Sequence, residues 1–178
     1  MSAYDVVLLI EQPFTGVDAQ NVRSLHEDIE DEVRYHVLLP VEDAAVRIEN
    51  AMGSLATGEV MAAPAIPLPE EDIQEMRREL LDHCREGVAT TVAALEAAGG
   101  RAVGQPVSGD PIRHLVSKVE EVDAREVIIL TRPHVVSEFF HVDWTSKARR
   151  KIGVPVLHLL EHENFDEQAG EGEGISGF

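Results

Sequence analysis

Basic residues are scarce in this chain: 15 lysines and arginines stand against 33 aspartates and glutamates, a formal net charge of -18. A field of that sign repels phosphate backbones and anionic bilayers, which excludes general nucleic-acid binding and membrane-surface attachment. The one local reversal is Lys147, Arg149, Arg150 and Lys151, explained most simply as a helix end that complements the macrodipole. Aromatic residues make up only 4%, so the core is expected to be aliphatic. The single cysteine, Cys84, rules out a disulfide within the chain, and its place on an apolar helical stripe makes it a small core residue. Long hydrophobic runs are missing too. The stretch Val6 to Ile10 is too short for a signal or a membrane span, so a soluble, cytoplasmic protein is expected.

Several catalytic signatures are also absent: Gly-x-Ser-x-Gly, the Walker loop, Gly-x-Gly-x-x-Gly and His-Glu-x-x-His. His158 and His162 bracket Glu161, but no cysteine or aspartate joins them at metal spacing, and no metal site is expected.

What is present is an alternation. Tyr4 to Ile10 is a continuous apolar run suited to a strand buried on both faces. Pro13, Thr15 and Gly16 break the chain, Asp18 can cap, and Val22, Leu25 and Ile29 recur at helical spacing up to the acidic stretch Glu30 to Glu32. Tyr35 to Val41 is a second apolar run. Between Glu42 and Pro69 the pattern weakens into a proline- and alanine-rich excursion. Ile73, Met76, Leu80, Leu81, Cys84, Val88, Val92 and Leu95 then trace one face of a long helix that Gly99 and Gly100 end.

Arg101 to Val107 predicts a third strand. Ser108-Gly109-Asp110-Pro111 makes a sharp turn into a helix with Asp110 as N-cap and Pro111 at the first helical position. Glu126 to Leu130 predicts a fourth strand, Phe139 to Ile152 a fourth helix closed by Gly153, and Val154 to Leu160 a fifth strand. This order predicts a single doubly wound α/β domain, residues 1 to 162, with a five-stranded, mainly parallel sheet and helices on both faces. Residues 163 to 178 are acidic and glycine-rich and predict a flexible tail.

Residues Gly104 to Leu160 resemble the universal stress protein family. Ser108-Gly109-Asp110-Pro111-Ile112 is similar to the family's Gly-Asp-Pro turn, and Asp123-Ala124-Arg125-Glu126 followed by Val127 to Leu130 to its entry into the fourth strand. Ser146 to Lys151 with Val154-Pro155-Val156-Leu157 resembles its last helix and closing strand. The N-terminal half allows two registers. Either Tyr4 to Ile10 is the family's first strand, or Tyr35 to Asp43 is, which would leave residues 1 to 33 as an extension; the first supplies five strands without using the excursion.

The resemblance implies a Rossmann-like fold, a role in stress response, and a homodimer formed through the last strand, Val154 to Leu160. It also implies a nucleotide loop, which this chain has lost. Aligned from the closing strand, the loop glycines fall at Thr131 and His134, and the later Gly-Ser pair at Val142 and Asp143. Bare amides must approach ribose and phosphate closely, which glycine permits and these residues do not. Seven residues separate His134 from Val142, fewer than the family's spacing, and Pro133 removes a backbone donor. Asp143 would bring a carboxylate toward the phosphates, and Glu11 or Gln12 stands where the family has a purine-side aspartate.

Family-type ATP binding is therefore not expected, and the chain reads as a non-enzymatic module acting through protein contacts. The alternative is a small-ligand protein or enzyme whose tentative pocket comprises Glu11, Thr131, Arg132, His134, Asp143 and Thr145, with Arg132 able to clamp an anion. Against it, His134 and His141 serve equally as surface or capping residues, and Phe139, Phe140 and Trp144 as core.

Overall fold

A computed structural model describes residues 3–41, 69–131 and 152–160. Strand β1, Ala3–Ile10, leads to helix α1, Gly16–Ser24, and then to β2, Glu32–Pro40. Helix α2, Glu70–Ala97, precedes β3, Arg101–Val107; helix α3, Pro111–Val122, leads to β4, Glu126–Thr131; β5 is Val156–Leu160. The five strands form one sheet in the order β3-β2-β1-β4-β5, and every pairing is parallel.

The continuous apolar runs follow from burial on both faces, because successive residues of a strand point to opposite sides. Val6, Leu8 and Ile10 of β1 face one layer with Ala19, Val22, Cys84, Val88 and Leu95 from α1 and α2. Val7 and Leu9 face the other, with Leu115 and Val119 of α3 and with Ile152. The sheet is thus a slab between two apolar layers. Since β1 is its central strand, paired on both sides, the register that begins the fold at Tyr4 is the one adopted, and residues 3 to 33 belong to the domain.

Close backbone approach sets the spacing of α2 from the sheet. A Cβ on Gly104 of β3 would lie 2.6 Å from Val88 Cγ1, and one on Gly87 would lie 2.8 Å from Pro13 Cγ and 3.0 Å from Leu39 Cδ2. Gly99 ends α2 with φ of 85°, a left-handed conformation that glycine adopts without penalty.

Several local expectations shift. The α1 stripe through Leu25 and Ile29 does not stay helical: α1 ends at Ser24, and its N-cap is Thr15, with Asp18 as the third helical residue of a reciprocal capping box. Strand β2 starts earlier than Tyr35, at Glu32, because pairing with β1 extends it through Ala3↔Glu32. Strand β5 starts at Val156, later than expected, since its ladder with β4 opens at Val127↔Val156. The cap at Asp110 is as expected: its side chain accepts hydrogen bonds from the amides of Ile112 and Arg113. The proline-rich excursion, the fourth helix apart from Ile152, the basic cluster and the acidic tail lie outside the described residues.

Candidate functional site

In an open parallel sheet, ligands bind beyond the carboxyl ends of the strands at the point where strand order reverses. Here the chain builds β1, β2 and β3 in one direction and then crosses to β4 on the opposite side of β1, so the reversal lies between β1 and β4. The Glu11 amide donates to the Leu130 carbonyl at 3.2 Å, which sets Glu11 directly beside the end of β4 at Thr131. Two sequence-selected positions, Glu11 and Thr131, are thereby brought together. Arg132, His134, Asp143 and Thr145 lie outside the described residues.

The described wall of this crevice is the β1–α1 connection, and it is firmly held. Pro13 packs on Gly87 of α2, and the Phe14 amide donates to Thr91 Oγ1 at 3.1 Å while that hydroxyl donates to the Gly87 carbonyl at 3.0 Å. Thr91 is fully buried and Phe14 nearly so. A buried amide without a partner is costly, and Thr91 supplies one from 77 residues away in sequence.

The α1 N-terminus is occupied by its own carboxylate. Asp18 Oδ2 accepts from the Thr15 amide at 2.7 Å and from Thr15 Oγ1 at 2.6 Å, and Thr15 Oγ1 accepts from the Asp18 amide at 3.3 Å. Asp18 is 2% exposed, and its reciprocal bonds with Thr15 fix the start of α1 from a buried position. Thr15 and Thr91 were not selected from the sequence. A threonine three residues before an aspartate is a visible capping-box signal, whereas nothing local marks Thr91 as the partner of Phe14.

Elsewhere, His158 sits within β5, where burial pushes its imidazole below the ordinary value. Among the described residues no group of three histidines, cysteines, aspartates or glutamates gathers at metal-binding distance. No helix among them is long and apolar enough to cross a membrane. A shallow apolar groove of about 470 Å³, with Val88, Val92, Val103 and Pro106 among its walls, lies between α2 and β3, at the sheet edge away from the crevice.

No protein-family profile matches the chain, and no curated protein matches it by sequence. Solved structures do. The universal stress protein UspA from Lactobacillus plantarum superposes with a TM-score of 0.53 at 11% identity, covering 89% of this chain and 99% of that one. A protein described as hypothetical, PH0823, superposes at 0.50 with 18% identity, covering 90% and 98%. A universal stress protein from Archaeoglobus fulgidus gives 0.48 at 16% identity, covering 88% and 93%. At such identities the likeness concerns the arrangement of strands and helices, and in that respect this chain has the universal stress protein fold.

Proposed function

We propose that this chain is a non-enzymatic module with the universal stress protein fold that acts in stress response through protein contacts, without family-type ATP binding. The observation that carries this reading is the capping box at the start of α1. At the described wall of the crevice the start of α1 already has a side-chain cap of its own, Thr15 bonded to Asp18, and a phosphate-binding turn would instead offer bare amides. The replacement of the family's loop glycines by Thr131, His134, Val142 and Asp143 supports the same conclusion.

The contact we favour is a homodimer through β5. In the sheet order β5 is the outermost strand beyond β4, and Leu157 on it is 36% exposed, so a second copy would cover an apolar edge.

Thermal unfolding of the full chain with and without millimolar ATP and Mg²⁺ tests the reading. A ligand at a hundredfold excess over its dissociation constant stabilises by roughly 2.7 kcal/mol, a shift easily resolved. The expected result is no shift; a clear upward shift overturns the nucleotide part of the proposal. Light scattering is expected to show a dimer that Leu157→Lys dissociates, and a monomeric parent protein overturns the dimer.

A second reading follows from the meeting of Glu11 and Thr131 at the strand-order reversal: a small ligand held there with Arg132, His134, Asp143 and Thr145. That reading predicts a ligand whose binding Arg132→Ala weakens at least about tenfold, equal to about 1.4 kcal/mol.

A further inference from the structure

Strand β3 stands at one end of the sheet order with β2 beside it, and among the described residues no strand lies beyond it. The Val41 amide donates to the Val107 carbonyl at 2.8 Å, so Val107 turns its backbone groups toward β2. Alternate residues of a strand point the same way. Val103 and Gln105 therefore pair with β2, while Ala102, Gly104 and Pro106 turn their backbone groups outward. A proline within a sheet belongs where the ladder asks for no donor, which fits Pro106 at an outward position. Over this edge α2 runs opposite to β3: a Cβ on Gly104 would lie 2.6 Å from Val88 and 3.3 Å from Val92, whereas Gly100 lies under Leu95. On the α2 side, Arg85, Ala89 and Val92 wall the apolar groove, and helical spacing makes Glu96 the next residue of that line.

The line Arg85, Ala89, Val92, Glu96 is its own complement. Set against itself in reverse, it places Arg85 beside Glu96 and Ala89 beside Val92, and its midpoint falls on the stretch of α2 that passes over Gly104. Gly104 is also the midpoint of the outward set Ala102, Gly104 and Pro106, so one two-fold axis serves strand and helix together. We propose that β3 pairs antiparallel with β3 of a second copy of this chain about that axis, with α2 lying against α2 along the same line. Gly104 exchanges both backbone bonds with its counterpart, and each Ala102 amide donates to the opposite Pro106 carbonyl. Val103, 54% exposed, comes beside Gln105 of the second copy on the other face of the sheet. Arg85 holds Asp82 at 2.8 Å in an exposed pair of little worth, which leaves its guanidinium able to meet Glu96 of the second copy. Ala89 and Val92 are small enough for the helices to approach closely. The missing proline donors and the exposed ion pairs make this a weak contact, which forms at high protein concentration and does not rest on the pairing through β5.

The test is sedimentation of the full chain carrying Leu157→Lys, so that β5 does not pair, between about 0.05 mM and about 1 mM, the range of weak association. A reversible monomer–dimer equilibrium is expected, and a monomer throughout overturns the proposal. In that background, Arg85→Glu and Glu96→Arg should each weaken association at least about tenfold by setting like charges together, and the two combined should restore it. Both side chains are exposed, so the fold is not at stake. Equal association in every variant, or no recovery in the combined one, overturns the pairing. Amide exchange locates the contact: the Ala102 and Gly104 amides are expected to exchange freely in dilute protein and to slow as dimers form, while those of Val103 and Gln105 are slow throughout. Slow exchange of Ala102 and Gly104 already in the dilute monomer would show the edge covered by the chain's own residues, and it overturns the proposal, as does dimerisation that leaves both amides free.

Discussion

The two ends of the sheet are secured by different means. At the carboxyl end, the β1–α1 connection is held by shape: Pro13 seats on the bare Gly87, and the Phe14 amide takes its only named partner from Thr91 on α2. At the amino end, ionisable side chains do the holding. His26, Tyr35 and Glu126 join α1, β2 and β4 under one layer, and on the opposite face His36 Nε2 bonds Asp5 Oδ1 at 2.7 Å across β1 and β2. Steric fit is indifferent to pH and intolerant of added volume, whereas a buried polar cluster is sensitive to both proton loss and partner loss.

That contrast can be broken most severely at Tyr35. Its ring is fully buried and lies 2.8 Å from where a Cβ on Gly100 would stand, so Tyr35→Ala empties a space at the turn between α2 and β3. Urea unfolding is expected to show a loss of about 3–5 kcal/mol, the range for deleting a buried aromatic ring. At the other end, Gly87→Val drives a side chain into Pro13 and Leu39, and the same measurement should register about 1–3 kcal/mol. Unlike the amino-end variants, it should lower stability equally at every pH.

A subtler break is Thr91→Val, which keeps volume but removes the acceptor of the Phe14 amide; the expected cost is about 1–3 kcal/mol. Faster exchange of that amide would locate the effect. Alkaline titration sharpens the comparison from the amino end. Desolvation by burial first, with the Glu126 carboxylate adding, pushes the Tyr35 phenol from 10.0 up to about 12. The fold therefore favours the protonated phenol: its contribution is fully present below pH 10.0 and is lost as the pH rises toward about 12. Tyr35→Phe should flatten that part of the unfolding profile. The smallest effect belongs outside both ends, at the α3 start, where Asp110→Ala should cost about 1 kcal/mol by thermal unfolding.

What could be foreseen depended on how local its cause was. The Asp110-Pro111 turn was legible because a cap and its amides lie within three residues of one another, and the apolar runs of β1, β2 and β4 were legible because two-sided burial leaves few polar positions. Helix α1 was misjudged in length, since Leu25 and Ile29 stay at helical spacing and still pack on the core while the chain turns around His26. Spacing alone does not distinguish a fourth turn of helix from a turn that packs the same residues.

The candidate site divides along the same line. Position in the chain marked Glu11 and Thr131 as strand ends, but their adjacency required knowing that β4 pairs with β1, a contact between residues more than a hundred positions apart. Asp18 was recognisable as a capping residue, whereas its burial and its bonds to Thr15 were decided by how α1 packs.

By itself, then, the sequence determined the alternation of strands and helices, the acidic field, and the absence of the glycines that a phosphate-cradling loop needs, because each of these is a property of neighbouring residues or of composition. Only the tertiary structure decided the strand order, the seat of Phe14 on Thr91, and the meeting of His26, Tyr35 and Glu126. Each of those joins residues distant in the chain, and the burial of their polar groups is tolerated because hydrogen-bonding partners meet them there.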